Sequence, residues 1–237
     1  YGRLLGGVYQ AAGHFDYQLM VAIHDKDKHA LPLLVTQNKT DGLLIDIDIP
    51  ETMQTELVER LPVVFLDTSP LKAGASSVET NLDSAVSSIL NALWNLGHRR
   101  IVCFLPDGNA RLSEQFAQIY SRFFAHKEHR PELEALNAPR SISEETHVQV
   151  LAKYVDELLA SHPKPTAVVS WDVYACQMLM ELGRLGVRVP DEISIAGIDD
   201  TPAASQVNPQ LSSYRFPLDE MGRTAVEVLL QKIEDPL

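Results

Sequence analysis

Short apolar runs alternate with amphipathic stretches along most of this 237-residue chain. Near-continuous runs of Val, Ile and Leu are typical of parallel strands, which helices cover on both faces. The runs predict strands at residues 17–23, 41–46, 62–67, 100–105, 166–170 and 193–198. Helical periodicity predicts helices at residues 1–13, 27–37, 51–60, 82–96, 112–126, 144–161, 172–185 and 217–234. Residues 127–143 lack a regular period and are predicted to be a surface loop. The alternation indicates an α/β fold with parallel sheets.

The charge and cysteine content narrow the functional class. The chain has 20 Lys and Arg against 32 Asp and Glu, a formal charge of −12, which argues against direct binding to nucleic acid or anionic membranes. No apolar run is long enough for a transmembrane helix, and no secretory signal pattern is visible. Cys103 and Cys176 are expected to be inert core thiols, as in a protein of a reducing compartment.

Several predicted strands end in, or lead directly into, an acidic residue. These acids are Asp46, Asp67, Asp107, Asp172, Asp199 and Asp200. Ligands of open α/β sheets bind beyond the carboxyl ends of the strands, and carboxylates there accept hydrogen bonds from hydroxyl-rich ligands or bind cations. Trp171 adds an apolar face suited to stacking on a sugar ring or a base. The alternative for each acid is a turn or a helix cap, and Asp172 in particular is placed to cap the helix that follows it.

Motifs of the common catalytic and cofactor sites are missing from the sequence. It contains no GxxxxGK phosphate loop, no GxGxxG, no GxSxG elbow and no HExxH metal pair, so no cofactor or metal is expected. His98, which follows Gly97 at a predicted helix end, is expected to hydrogen-bond the last carbonyls of that helix. The residues alone leave two classes open, a two-lobed α/β binding protein and an enzyme acting on sugar-like compounds.

Seven short motifs in order resemble those of one protein family. Residues 96–102, LGHRRIV, resemble the LGHRRIA signature of the lac repressor/galactose repressor family of bacterial transcription regulators. The other matching stretches are residues 41–44 (DGIIL in the family), 62–67 (PVVxxD), 77–85 (SVxxDNxxGA), 186–200 (GxRVPxDISVVGFDD), 209–213 (PxLTT) and 217–225 (PxxEMGRxA). The resemblance spans essentially the whole chain.

This resemblance implies a type I periplasmic-binding-protein-like fold. Such a fold has two Rossmann-like lobes with parallel sheets, a hinge of three chain crossings and a ligand cleft between the lobes. The N-terminal lobe is expected at residues 1–80 and 214–237, and the C-terminal lobe at residues 81–213. A helix-turn-helix headpiece, which family members carry before this region, is not part of this sequence, and neither are the first strand of the N-terminal lobe and the last strand of the C-terminal lobe.

The function implied by the resemblance is that of a cytoplasmic, ligand-responsive transcription regulator, most simply a repressor and not an enzyme. Its expected partners are a small effector (a sugar, a nucleoside or a similar compound), operator DNA bound through the headpiece, and a second copy of the chain. The apolar face of helix 1–13, with Leu4 and Val8, and the strand at 43–47 are candidate dimer contacts or simply core. The alternatives are a periplasmic solute-binding protein of a sugar transporter and an enzyme on a doubly wound sheet.

The resemblance also assigns candidate effector contacts. Asp67, Trp171, Asp172 and Asp199 fall on family ligand positions, and Phe216 follows the expected third crossing. Phe116 stands where the family has an effector-binding arginine, and Arg111 lies five residues earlier. Trp171 replaces the usual Asn, so the expected effector site is more aromatic and less polar than is usual in the family.

Overall fold

The computed structural model describes residues 2–24, 31–67, 75–104, 106–107, 110–125, 127, 140–141 and 147–235, with the backbone alone at residues 106–107, 110–113, 140–141 and 147. The chain divides into two compact units: unit 1 is residues 1–80 with 217–237, and unit 2 is residues 81–216. The elements in chain order are α1 (Gly2–His14), α2 (Leu33–Thr36), β1 (Leu43–Ile45), α3 (Glu51–Arg60), β2 (Val63–Leu66), β3 (Ser76–Val78), α4 (Leu82–Asn95), β4 (Ile101–Phe104), β5 (Pro106–Asp107), α5 (Ala110–Phe124), β6 (Arg140–Ser141), α6 (His147–Ala160), β7 (Ala167–Trp171), α7 (Asp172–Arg184), β8 (Ser194–Ile198), a 3₁₀ helix (Pro202–Ser205), β9 (Ser212–Tyr214) and α8 (Leu218–Glu234).

Unit 1 is built around a parallel sheet in the order β1-β2-β3. All residues of β2 are buried, and alternate side chains point to opposite faces of the sheet. Val63 and Phe65 pack in a cluster with α3 residues such as Leu57. Val64 and Leu66 pack in a second cluster with residues of α1 and α8. The prediction of a strand covered on both faces is therefore confirmed for β2.

Helices α1 and α8 pack closely against each other in unit 1. The contact is made at glycines, because a side-chain carbon at Gly222 would lie 2.5 Å from the Leu4 carbonyl oxygen and 2.8 Å from the Val8 amide nitrogen. Leu4 and Val8 are themselves buried, at 7% and 4% exposure, in clusters that include α8. Their core role, the simpler of the two expectations for them, is confirmed.

Unit 2 contains a parallel sheet in the order β4-β7-β8-β9, and β5 pairs with β6 in a separate ribbon. Its core is formed by α6 and α7 packing on β4, β7 and β8. Phe104 of β4 is central, with ring centroids 4.6 Å from Tyr154 and 5.7 Å from Tyr174. These observations confirm the α/β fold class.

One predicted strand, at residues 17–23, does not form. A strand is stable only when its backbone groups pair with a neighbour. Residues 19–24 instead line a cavity of about 440 Å³, together with residues of α1, β1 and α3. Met20, Val21 and Ile23 are accordingly exposed. The helix predicted at 27–37 is also wrong in extent, since only α2 forms, although residues 27–30 lie outside the described part of the chain.

The structure tests two further sequence expectations. The loop predicted at 127–143 contains β6, whereas residues 128–139 and 142–143 lie outside the described residues. The expected hydrogen bond of His98 to the end of α4 is confirmed for its backbone, because its N–H donates to the Leu93 carbonyl oxygen at 3.0 Å. The ring of His98 lies elsewhere, with its Nδ1 3.0 Å from Thr166 Oγ1. The neighbouring Arg99 also donates to this turn, to the Trp94 carbonyl oxygen at 2.8 Å, and its guanidinium lies over the Trp94 ring. In the described ranges, no helix combines the length and hydropathy needed to cross a membrane.

Candidate ligand site at the strand ends

The carboxyl ends of β7, β8 and β9 lie side by side in unit 2. Trp171 pairs with Ile198, and Ile198 pairs with Tyr214. The Asp199 amide donates to the Tyr214 carbonyl oxygen at 2.9 Å, which holds the end of β8 against β9. Trp171, at the end of β7, and Asp199, directly after β8, therefore come to one edge of the sheet. That is the edge at which parallel α/β sheets bind ligands.

Asp172 occupies the same edge but is fully buried, with 0% exposure. Its Oδ2 accepts hydrogen bonds from Thr201 N at 2.6 Å and Thr201 Oγ1 at 3.0 Å, and its Oδ1 accepts one from Ser213 Oγ at 2.6 Å. Helix α7 starts at Asp172, and the residue at its cap, Trp171, makes no side-chain cap bond. The helix-cap alternative for Asp172 is therefore wrong, and its carboxylate is bound within the protein.

The turn after β8 has an unusual backbone. Asp199 and Asp200 have φ values of 108° and 46°, in a region that side chains other than glycine rarely occupy. The Asp200 amide donates to Ser213 Oγ at 2.9 Å, and its carboxylate pairs with the Arg215 guanidinium. Backbone strain of this kind persists when surrounding contacts hold it, and it is concentrated at functional sites.

Asp67 ends the central strand of unit 1 in a similar way. Its φ is 47°, and its Oδ1 accepts hydrogen bonds from Thr80 N at 2.6 Å and Thr80 Oγ1 at 2.8 Å. Asp46 follows the neighbouring strand β1. Burial, reinforced by the negative charge of Asp67, raises the pKa of Asp46 from 3.8 to about 6. Two carboxylates thus share the carboxyl edge of the β1-β2 pair, as the strand-end rule predicts.

The raised pKa makes a testable contribution to stability. Between pH 3.8 and about 6 the folded protein holds a proton on Asp46 that the unfolded chain releases, so the free energy of unfolding falls as the pH rises through this window. Asp46→Asn is expected to be more stable than wild type by about 1–2 kcal/mol at pH 8, with little difference below pH ~4. The expected gain is smaller than the free energy that corresponds to the whole pKa shift, because the side chain is only half-buried and solvent screens it. Urea unfolding at several pH values measures this difference. Asp48→Asn, at the exposed acid two residues along, is the control, and an Asp46→Asn difference that does not change with pH would contradict the assignment.

The remaining sequence candidates are buried or lie outside the described residues. Phe116, on α5, is 1% exposed and belongs to the core, and Phe216 is 5% exposed with its ring centroid 5.4 Å from that of Tyr214. The Arg111 side chain lies outside the described residues. Cys103 and Cys176 are buried, and burial raises the pKa of both thiols, as expected for inert cysteines. The described residues contain no group of three or more His, Cys, Asp or Glu that fits a metal ion.

Sequence reasoning missed the hydroxyl partners of the carboxylates, namely Thr80, Thr201 and Ser213. One signal for Ser213 was available, since residues 209–213 resemble the PxLTT motif of the family. Thr201 directly follows the Asp199-Asp200 pair, but its bond to Asp172 spans 29 residues. Arg215, which pairs with Asp200, was also not anticipated.

Comparison with known proteins places the chain in a family. Residues 90–237 match the family described as periplasmic binding protein-like domain. The chain is 30% identical over 244 residues to the ribose operon repressor of Haemophilus influenzae, covering 100% of this chain and 71% of the relative. It is 28% identical over 217 residues to the HTH-type transcriptional repressor PurR of Aliivibrio salmonicida, covering 89% of this chain but only 63% of that relative's length.

Solved structures with this fold include two regulators. A LacI family transcriptional regulator from Enterococcus faecium, with bound ribose, has a TM-score of 0.81 and 19% identity, covering 99% of this chain and 86% of that one. A regulatory protein of LacI family from Chloroflexus aggregans has a TM-score of 0.85 and 22% identity, covering 98% and 84%. These likenesses establish the periplasmic-binding-protein-like fold. Together with the family match and the ribose operon repressor, they show that the chain belongs to the lac repressor/galactose repressor family, as its effector-binding core.

Proposed function

We propose that this chain is the effector-binding core of a ligand-responsive bacterial transcription regulator, most simply a repressor, which takes a small hydroxyl-rich effector of the pentose class. The observation that carries the proposal is the position of Asp199, on a strained turn at the carboxyl edge of β7, β8 and β9. A carboxylate there accepts hydrogen bonds from sugar hydroxyls, and the ring of Trp171 at the same edge offers a stacking face. The 30% identical relative is named as a ribose operon repressor, which points to ribose as the first probe.

The proposal extends to how the whole protein acts. Units 1 and 2 are the two lobes expected from the family resemblance, and the effector shifts the population between two conformations of the core. Operator DNA is bound by a headpiece outside this sequence, in a homodimer, which agrees with the net charge of −12 on the core. The protein works in the cytoplasm and without catalysis. Asp67 and Phe216 remain candidate effector contacts.

Removing the charge of Asp199 tests the site. Asp199→Asn is expected to weaken ribose binding at least tenfold, since a charge-assisted hydrogen bond contributes roughly 1.5–3 kcal/mol. Asn keeps the size of the side chain and tolerates the positive φ of this position, so the backbone is preserved. Titration calorimetry gives the affinity. The matched control is Asp156→Asn, at an exposed acid on α6, and equal affinity of Asp199→Asn and wild type would exclude Asp199 as a contact.

The regulator and the solute-binding protein are distinguished by whether the full-length protein binds DNA. Full-length protein, expressed from the gene read upstream of the Tyr1 codon, is expected to retard its own promoter fragment in a gel-shift assay, with a midpoint that ribose changes. A solute-binding protein of a transporter would bind ribose and leave the DNA unshifted. The repressor names of the relatives favour the first result.

A further inference from the structure

A hydrogen-bond network in unit 2 holds the backbone on which Asp199 stands. The buried Asp172 carboxylate receives two hydrogen bonds from Thr201 and one from Ser213, at 2.6–3.0 Å. Ser213 Oγ in turn receives the amide of Asp200 at 2.9 Å. One side chain at the start of α7 therefore holds both the turn after β8 and strand β9.

The three donors of this network require hydrogen-bond acceptors on both terminal atoms of the side chain at position 172. The Thr201 backbone N–H can only donate, and it donates to Asp172. The hydroxyl groups of Thr201 and Ser213 donate to the same carboxylate. A carboxylate supplies acceptor sites on both oxygens, whereas an amide side chain supplies one acceptor and one donor. Hydrogen bonds to a charged acceptor are also stronger than neutral ones. An Asn at this position has the right size but cannot satisfy the same three donors.

The backbone around the network is shaped for the carboxylate. Asp199 and Asp200 both have positive φ, and such conformations persist only where neighbouring contacts hold them. The Asp172 network contacts the two residues that follow Asp199, through Ser213 on one side and directly through Thr201 on the other. At Gly197, one residue before the end of β8, an added side-chain carbon would overlap Asp172 Oδ1. The missing side chain provides the space that the carboxylate fills.

We infer that Asp172 is a positioning residue: it does not touch the effector, but holds the Asp199-Asp200 turn in the conformation that presents Asp199. This inference rests on the proposed function, and it replaces the direct effector contact expected for Asp172 from the family resemblance. Asp172 is fully buried, and its carboxylate oxygens accept three hydrogen bonds from within the protein rather than from an effector.

Hydrogen exchange of the ligand-free chain tests the inference at the level of single amides. Asp172→Asn is expected to speed exchange of the Asp200 and Thr201 amides at least fivefold, while the amides of β7 and α4 keep their protection. Ser213→Ala leaves the carboxylate in place and removes the acceptor of the Asp200 amide, so it is expected to speed exchange at Asp200 but not at Thr201. Asp156→Asn, with the same loss of charge at an exposed position of α6, is expected to change neither.

Titration of the same proteins with ribose measures the effect of each substitution on effector binding. Asp172→Asn is expected to raise the dissociation constant at least tenfold, in parallel with the faster exchange at the turn. Weaker binding with unchanged exchange at the turn would make Asp172 a direct contact and overturn the inference. An equal loss of protection throughout unit 2 would also overturn it, because Asp172 would then be a general structural residue. If wild type does not bind ribose, the proposed effector class fails, but the exchange result still decides whether Asp172 holds the turn.

Discussion

Gly7→Ala is expected to lower the free energy of unfolding by about 3 kcal/mol, because the added methyl group cannot fit between α1 and α8. A side-chain carbon at Gly7 would overlap the Asp219 carbonyl oxygen and lie 2.8 Å from the carbonyl carbon and 2.9 Å from the Cα atom of the same residue. These are backbone atoms at the start of α8, which cannot move aside as a flexible side chain would. The two helices must separate, and the buried residues between them lose contact.

The adjacent position provides a matched control for this prediction. An alanine side chain at Gly6 would meet only the Asp219 carboxylate, at 3.9 Å, which is an ordinary contact. Gly6→Ala is therefore expected to be neutral or to stabilise α1 by up to about 1 kcal/mol, through helix propensity alone. Urea unfolding followed by circular dichroism compares the two variants. Similar stabilities for Gly7→Ala and Gly6→Ala would show that α1 and α8 do not pack as closely as described.

The predictability of each strand followed from its place in a sheet. Strand β2 is central and buried on both faces, so its four apolar residues in a row form an unambiguous pattern. Strands β3 and β9 are sheet edges that begin with serines and are partly exposed, so their sequences resemble loops and neither was predicted. Residues 17–23 show the opposite case, in which a strand-like sequence pairs with no strand among the described residues. Pairing is a tertiary property, and the apolar pattern alone does not supply it.

The candidate site was predictable in its position but not in its internal contacts. Strand-end reasoning predicts that Asp199 and Trp171 lie at the carboxyl edge of the sheet, and the structure has both there, because each follows from the end of its own strand. The partners of Asp172 could not be found in this way, since Thr201 and Ser213 are 29 and 41 residues distant. They reach Asp172 only because β7, β8 and β9 are adjacent in the sheet. Aspartate is usually an exposed residue, so the residue type did not indicate that Asp172 is buried.

Gly197→Ala is expected to have a comparably large effect in unit 2, and to impair both folding and effector binding. The new side-chain carbon would overlap Asp172 Oδ1, lie 2.7 Å from Leu211 Cδ2 and lie 3.1 Å from Ser213 Oγ. Alanine is otherwise preferred to glycine in a strand by about 0.5–1 kcal/mol. The substitution is therefore destabilising only because of the steric conflict with the buried carboxylate. Displacing that carboxylate from its donors is expected to cost about 3 kcal/mol or more.

A control and a double variant separate this cause from others. Gly183→Ala, on α7, meets no atom within 4 Å and is expected to be neutral or slightly stabilising. If the Asp172 carboxylate is the obstacle, truncating it makes room, and Gly197→Ala is then less harmful in an Asp172→Ala background than in wild type, by a coupling of about 1–3 kcal/mol. Strictly additive losses in urea unfolding would place the conflict at Leu211 instead. The coupling matters for function because the space at Gly197 and the charge of Asp172 together determine where the Asp199 turn lies.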